Sequence, residues 1–252
     1  MTTSTIELIN NHGSIRSYRT DPVSGEIIEL IVAAAQHSST SANLQMASVV
    51  AVTDRAKRKR IAELCGTSQQ HINEAPVFLA WCADLNRLDR VCELRGYKQV
   101  TEYVENFLMA VVDAAIASQT AALAAESLGL GICYIGSIRN NPTEIIALLE
   151  LPRLVFPVMG MTIGWPATEP RPRPRLATST VLYWETYNKD QDEGLREYDR
   201  RTIETDRIQA SMSGKPNEME DRGWLEQSAR RVSKPNRTNL RHVLMDQGFY
   251  LQ

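Results

Sequence analysis

The stretch TEYVENFLMAVVDAAIASQTAALAAESL, residues 101–128, decides the fold of this 252-residue chain. It contains no Gly or Pro and is rich in Ala, Val and Leu, so it predicts one uninterrupted helix. Such a helix would be on the order of 40 Å long. We expect Gly129 and Gly131 to end it, as C-cap glycines do.

The same stretch is apolar enough to raise the question of a membrane span. Asp113, the polar run 118–120 and Glu126 interrupt it, and no basic flank follows. We therefore expect a helix that is buried on most sides. It would run through the middle of the fold or along a subunit interface.

Shorter elements surround this helix. β-Branched or apolar runs predict strands at residues 46–53, 76–84, 132–135 and 154–164, with a last short one at 181–184. Apolar spacing and caps predict helices at 24–37, 55–65, 141 onward, 190–209, 224–232 and 236–247; residues 211–221 are expected to form a mobile loop. Long helices mixed with separated strands predict an α+β fold, with a sheet wrapped by helices.

Composition narrows the function classes. The net charge of −2 argues against nucleic acid as the main partner, because phosphate backbones call for a basic face. The first residues lack a basic segment followed by an apolar run, so no secretory signal is expected. The four cysteines and four histidines are scattered, which predicts reduced thiols in a cytoplasmic protein and no metal site.

The segment 12–18 (HGSIRSY) is the first of four unusual polar concentrations. In an extended backbone His12, Ser14 and Arg16 point the same way and could surround a phosphate with charge-assisted hydrogen bonds. A solvated loop is the alternative, and from this segment alone it is the better interpretation.

Two further segments carry hydroxyls or glycines. The run 37–43 (HSSTSAN) follows a helix and could offer donors to a polar ligand, although Ser and Thr are also common at helix ends. The run 134–141 (YIGSIRNN) joins a strand to a helix start and suits a planar or anionic ligand. The glycine spacing at 129, 131 and 136 does not match a dinucleotide-binding fingerprint.

The fourth segment is 169–175 (EPRPRPR), in which Arg171, Arg173 and Arg175 alternate with prolines. The prolines keep it extended, so the cations project stiffly along one edge. A phosphate clamp and a solvated linker are equally good interpretations.

Together these blocks resemble one family, the bacterial oxygen-insensitive nitroreductases of the major, group A type, which are NADPH-dependent flavin oxidoreductases. The resemblance runs from Ile6 to about Tyr187 and returns near the C-terminus. It is carried by the order and spacing of these blocks: His12, Ser14–Arg16, Ser38–Ser41, Leu44–Gln45, Gln69, His71, Cys82–Asp84, Ala124–Gly131, Tyr134–Asn141, Gly164–Pro166, Pro174–Leu176 and Asp246–Phe249.

The resemblance implies a nitroreductase-like fold with a mostly antiparallel sheet in an intertwined homodimer, with FMN at the interface. It further implies a core at residues 1–187, with 188–252 as a helical extension of the same domain. The FMN phosphate would be bound by His12, Ser14, Arg16, Arg173 and Arg175. The flavin would be contacted by Ser39, Thr40, Ser41, Gln69, Ile135, Gly136 and Ser137, with Arg139 nearby.

The chain departs from the family pattern at some positions. Gly13 stands where an arginine is common, Arg173 where a lysine is common and Ser137 where a glycine is common. The family's arginines for the NADPH 2′-phosphate cannot be aligned here, so Arg207 and Lys215 are the residues proposed for that part. Preference for NADPH over NADH stays open.

The activity implied is a ping-pong, two-electron reduction of nitroaromatics, quinones or related small acceptors. The chemistry would occur at flavin N5, so no catalytic protein residue is assigned. One alternative is a flavin reductase that supplies reduced FMN to a partner enzyme. Another, from a different class, is a flavin-binding redox sensor without turnover. A third is an unrelated helical dimer whose basic stretch binds an acidic partner.

Overall fold

Four antiparallel strands form the sheet at the centre of the computed structural model of the chain, which describes residues 2–212 and 223–252. The strands are β1 (Ala47–Val52), β2 (Val77–Asp84), β3 (Gly131–Ile135) and β4 (Val155–Gly164), in the spatial order β1-β2-β4-β3. Every residue of β2 is buried, as its continuous apolar run predicts for a central strand. The α+β class and the antiparallel sheet are confirmed.

Ten α-helices occur within the described residues. They are α1 (Ser4–Asn10), α2 (Gly25–Gln36), α3 (Arg55–Cys65), α4 (His71–Glu74), α5 (Asn86–Arg95), α6 (Val104–Ser127), α7 (Pro142–Leu148), α8 (Asp192–Met212), α9 (Trp224–Val232) and α10 (Leu240–Asp246). The sequence did not predict α1, α4 or α5.

The chain divides into two compact units, Met1–Arg171 with Arg237–Gln252, and Pro172–Asn236. The first unit holds the sheet. In the second, α8 and α9 pack through Tyr198 and Trp224, whose ring centroids lie 5.3 Å apart. The division at residue 187 that the resemblance implied stays a prediction.

Each face of the sheet packs on a different set of helices, because alternate residues of a strand point to opposite faces. On one face α2 and α6 cover a cluster that includes Leu79, Ile132 and Met161. On the other, α3, α4 and α7 cover a cluster that includes Phe78 and Cys133. The strands are therefore buried on both sides, which accounts for their unbroken apolar runs.

Helix α6 is confirmed as the long central helix, but only part of it is buried. Its small residues, among them Ala114, Ala121 and Ala125, lie against the sheet with almost no exposure. Its length and composition alone would allow it to cross a membrane. The opposite side carries an apolar stripe in steps of four residues: Val104, Leu108, Val112 and Ile116, which are 52, 53, 41 and 39% exposed. The single chain therefore leaves one side of α6 exposed, and burial of that side at a subunit interface stays a prediction.

The structure corrects four local predictions. Residues 181–184 are not a strand, because the Val181 and Leu182 amides turn back to the Thr178 carbonyl instead of pairing with a strand. Gly129 ends α6 with a φ of +80°, whereas Gly131 is already the first residue of β3. The side-chain cap of α7 and the start of α10 also differ, as follows.

Asn141 occupies the N-cap position of α7 but makes no side-chain cap there, because its side-chain amide donates to the Leu64 carbonyl at 2.6 Å. Helix α10 begins at Leu240 rather than at residue 236, since the residues before it form a turn in which the Leu240 amide donates to the Arg237 carbonyl. The loop predicted at 211–221 lies outside the described residues for all but its first two positions, which belong to α8.

Gly160 gives a direct test of how tightly β2 and β4 pack. A Cβ at this position would lie 2.3 Å from Phe78 Cζ and 3.2 Å from Ile135 Cβ. We expect Gly160→Ala to lower the free energy of unfolding by about 1–3 kcal/mol, the usual cost of overpacking a core. Denaturant unfolding measures it.

Gly25→Ala is the matched control, because a Cβ there would meet nothing within 4 Å. The same Gly160→Ala change should cost less in a Phe78→Leu background, where the ring edge is absent. Equal stability of Gly160→Ala and the wild type would contradict the packing described here.

Candidate functional site

The segment from His12 to Tyr18 runs extended along the outer edge of β3. The Ile15 amide donates to the Ile132 carbonyl at 2.8 Å, and Ile15 packs where a Cβ on Gly131 would come within 2.5 Å of its Cγ1. Gly13 and Ile15 are buried, whereas Ser14 and Arg16 are exposed. The alternation expected of an extended segment is therefore present, and the polar residues share one side.

The His12 ring is oriented by a carboxylate. Its Nδ1 lies 2.6 Å from Oε1 of Glu126, in the last turn of α6. Glu126 is almost buried, and its Oε2 has no hydrogen-bond partner among the described residues. Because Nδ1 is engaged, Nε2 is the ring nitrogen that remains for a ligand. The sequence placed Glu126 only within a block of resemblance, although a carboxylate at the end of an apolar helix was a signal for it.

Arg16 lies close enough to His71 to influence its titration. Burial lowers the pKa of His71 and the Arg16 guanidinium lowers it further, so its imidazole is neutral at pH 7. The Nε2 of His71 is buried and has no hydrogen-bond partner among the described residues. A buried, unpartnered ring nitrogen beside an exposed cation fits an anionic ligand. His71 was quoted in the resemblance but was not assigned a role.

Ser14 and Tyr18 lie around the same strand. A contact with Ser14 and the charge of Arg16 partly oppose the burial that raises the pKa of the Cys133 thiol. The Tyr18 hydroxyl donates to the Ile15 carbonyl at 2.8 Å and lies 2.7 Å from the Thr162 hydroxyl, which anchors the segment. Burial raises the pKa of Tyr18 well above its usual range, so it remains a neutral phenol.

Residues after β3 extend this edge. Gly136–Arg139 form a short 3₁₀ helix. The buried hydroxyl of Ser137 lies near the Cys65 thiol, but it has no hydrogen-bond partner of normal geometry in the described part of the chain. The Arg139 guanidinium donates to the Val158 carbonyl, and burial lowers its pKa. Gln69 ends the 3₁₀ helix Thr67–Gln69 and donates to the Ser68 hydroxyl at 3.1 Å.

Ser39, Thr40 and Ser41 lie elsewhere, before β1 on the opposite edge of the sheet. Ser41 donates to Asp113 Oδ1 of α6 through its amide at 2.8 Å and its hydroxyl at 3.0 Å. The Met46 amide donates to Oδ2 of the same carboxylate at 3.1 Å. Asp113 is thus a fully buried anchor for this loop. Its place within an apolar helix was again the signal for it.

The predicted residues therefore form two groups in one chain. The Ser41 loop is held by Asp113 and the His12 segment by Glu126, thirteen residues apart on α6, which corresponds to roughly 20 Å along the helix axis. The neighbour of Ser14 and Arg16 is Cys133, which lies on the α3 side of the sheet, whereas α6 lies on the other side. The single chain does not bring the two groups together.

A cavity of about 640 Å³ adjoins the Ser41 loop. It lies between α2, β1, α5 and α6. Trp81 lines it, and the buried indole nitrogen of this residue has no hydrogen-bond partner within residues 2–212 and 223–252. Its polar lining includes Ser38, Thr40, Ser48, Arg87 and Asp113. A cavity of this size with a few polar groups is typical of a small-molecule site.

The remaining predicted residues lie in the second unit or outside the described residues. Arg173 and Arg175 are exposed on an extended stretch, as the prolines predict, and Arg201 donates to the Arg175 carbonyl. Arg207 is exposed on α8. Lys215 lies outside the described residues. Their parts in binding stay predictions. Within residues 2–212 and 223–252, no cluster of three His, Cys, Asp or Glu could hold a metal ion.

Comparisons with known proteins identify a family match and several similar proteins. Residues 9–165 match the Nitroreductase family, and residues 173–252 match the Nitroreductase family, C-terminal domain. An FMN reductase [NAD(P)H] of Bacillus subtilis is 40% identical over 251 residues, 98% of each chain. An oxygen-insensitive NADPH nitroreductase of Salmonella typhimurium is 38% identical over 97% of this chain and 98% of its own. The solved structure of B. megaterium NfrA2 has a TM-score of 0.94 at 36% identity, covering all of both chains.

The thiols beside the site give a prediction about reactivity. Burial raises the pKa of Cys65 to about 11 and that of Cys82 to about 12, and it also raises the pKa of Cys133. At pH 8 a thiol with a pKa near 11 is roughly one-thousandth thiolate. We expect one rapidly alkylated thiol in the native protein, the half-exposed Cys92.

Timed alkylation with mass spectrometry measures this. The fast phase should disappear in Cys92→Ser, and urea-unfolded protein should label at all four cysteines. Rapid labelling of Cys65 or Cys133 in the native protein would mean that a nucleophilic thiol lies beside the site.

Proposed function

The chain belongs to the nitroreductase family, and on that basis we propose that it is an FMN-dependent NAD(P)H oxidoreductase that works as a homodimer. The observation that carries the FMN site is the set formed by Ser14, Arg16 and His71. Here the exposed Arg16 guanidinium acts electrostatically on His71, whose buried Nε2 has no partner among the described residues. The exposed Ser14 lies with Arg16 near Cys133. These groups suit a phosphate, because each can donate to its oxygens.

Bound FMN would supply the redox chemistry, accepting two electrons from NAD(P)H and passing them to an acceptor. The chain's own part is to bind and orient. His12, fixed by Glu126, would direct Nε2 at the phosphate together with Ser14 and Arg16. Gln69, Ile135, Gly136 and Ser137 would contact the ring, and the buried Ser137 hydroxyl fits a polar atom of the flavin edge. Arg173 and Arg175 would add cations.

The second group requires a second copy of the chain. Ser39, Thr40 and Ser41 would contact the flavin bound to the partner's His12 segment, because the two groups lie on opposite edges of one sheet. The exposed apolar stripe on α6 supports this, since four aliphatic side chains on one helix face favour burial against a like surface. FMN would then lie at the interface between subunits.

The substrates follow at the level of class. The electron donor would be NADPH or NADH, with Arg207 and Lys215 proposed for the NADPH 2′-phosphate. Acceptors would be nitroaromatics, quinones or related small molecules. The 40% identity to an FMN reductase favours one second function, the supply of reduced FMN to another enzyme. Four free thiols fit a reducing cytoplasm as the location.

The first measurement is the visible spectrum of the purified protein, without oxygen, before and after addition of NADPH and then of a quinone. We expect flavin bands that bleach with NADPH and return with the quinone. Arg16→Gln should purify with much less flavin, because a charge-assisted contact to the phosphate is lost. Arg60→Gln, at an exposed position on α3, is the control. A colourless wild type that takes up no added FMN would disprove the proposal.

The dimer has its own test in Leu108→Glu, which places a charge in the middle of the exposed stripe. We expect a monomer in sedimentation velocity and loss of bound FMN, because half of the site comes from the partner. Val232→Glu makes the same change at an aliphatic residue that is 82% exposed on α9, and it should leave the dimer intact. A Leu108→Glu protein that remains a flavin-bound dimer would rule out this face as the interface.

A further inference from the structure

The backbone of Arg171 lies directly against Gly13. A Cβ on Gly13 would be 2.6 Å from the Arg171 amide nitrogen and 2.9 Å from both its carbonyl carbon and its carbonyl oxygen. The obstacle is main chain, which cannot rotate aside as the end of a side chain can. Only glycine at position 13 therefore allows the Arg171 backbone to come this close. The reason is the missing Cβ and not the backbone angles of Gly13.

This contact places Arg171 beside the segment assigned to the phosphate. Gly13 is flanked by His12 and Ser14, so the Arg171 backbone packs on the middle of that segment. Pro170 and Pro172 restrict the chain on both sides of the arginine. The position of Arg171 along the segment is thus held by a close contact and by two stiff neighbours.

The side chain of Arg171 is available for a ligand. It is exposed, and no carboxylate among the described residues forms an ion pair with it. A cation that has no carboxylate partner in the protein stabilises a phosphate dianion bound nearby. A guanidinium can do so with two parallel hydrogen bonds.

We propose that Arg171 is a further phosphate-binding cation of the FMN site, and that Gly13 is the residue that admits it. This inference rests on the proposed function. It predicts that Gly13 and Arg171 together make the site prefer FMN over riboflavin, which has the same ring without the phosphate. Arg171 lies in the first unit together with His12, Ser14 and Arg16.

The test measures binding of FMN and of riboflavin to the full chain after its bound flavin has been removed. Binding is detected as quenching of the fluorescence of the added flavin. Arg171→Ala should weaken FMN binding on the order of 10-fold, the usual effect of one charge-assisted hydrogen bond, and leave riboflavin binding unchanged. Arg171→Lys should retain part of the affinity. Arg60→Ala, which removes an exposed charge on α3, is the control and should bind both flavins as the wild type does.

Gly13 is tested by a double-mutant cycle. Gly13→Ala should also weaken FMN binding, because the Arg171 backbone must move away. If Gly13 acts by admitting Arg171, the double variant should be no weaker than the weaker single variant. Fully additive losses would overturn the role given to Gly13. A second readout, the salt dependence of FMN binding, should flatten in Arg171→Ala, since fewer charges meet the phosphate.

The possible outcomes distinguish a failure of the proposed FMN function from a failure of the role proposed for Arg171. If the wild type binds neither flavin, the proposed FMN function fails. If the wild type binds FMN and Arg171→Ala binds it equally well, or loses FMN and riboflavin to the same extent, the role of Arg171 fails while the FMN site stands.

Discussion

The packing of the small-residue side of α6 against the sheet is the constraint on which the rest of the molecule depends. Alanines at this contact let the helix axis approach the strands closely, and the buried residues Ala114, Ala121 and Ala125 occupy it. Two carboxylates of the same helix, Asp113 and Glu126, then become fixed points. Asp113 holds the loop before β1, and Glu126 holds the ring of His12.

One helix therefore spaces the two halves of the proposed flavin site. A helix is rigid and rises by a constant amount per residue, so the halves of one chain cannot meet. The same helix turns its aliphatic stripe outward. The proposed symmetric dimer would account for both facts, because it would cover the stripe and bring each half to its counterpart. Binding of the flavin and association of subunits would then be linked, because each stabilises the other.

Close backbone contacts made possible by glycine shape the phosphate side. Gly131 lets Ile15 pack on the edge of β3, and Gly13 admits the backbone of Arg171. The buried thiols nearby are protonated, and Tyr18 is a neutral phenol. The groups that face a ligand here are donors and cations. In the proposed function such a site would bind and orient an anionic cofactor, and the reaction would be left to the cofactor.

The sequence by itself determined the four strands of the sheet, the long helix α6, the α+β class and the family. The apolar patterns of α6, β2 and β4 can be read from the sequence, because each depends on local geometry that neighbouring residues specify. The alternation of His12, Ser14 and Arg16 was likewise visible, because an extended segment has a period of two. Residues 181–184 were predicted less well: this apolar and aromatic run forms a turn, in which the Val181 and Leu182 amides donate to the Thr178 carbonyl.

Only the tertiary structure decided which polar residues share a site. The pairing of His12 with Glu126 and of Ser41 with Asp113, the place of His71 beside Arg16, and the contact of Gly13 with Arg171 each join segments far apart in the chain. It also showed that only one side of α6 is buried. Local patterns state which residues are apolar or polar. Which of them meet depends on how the helices and strands pack, and that is a property of the whole fold.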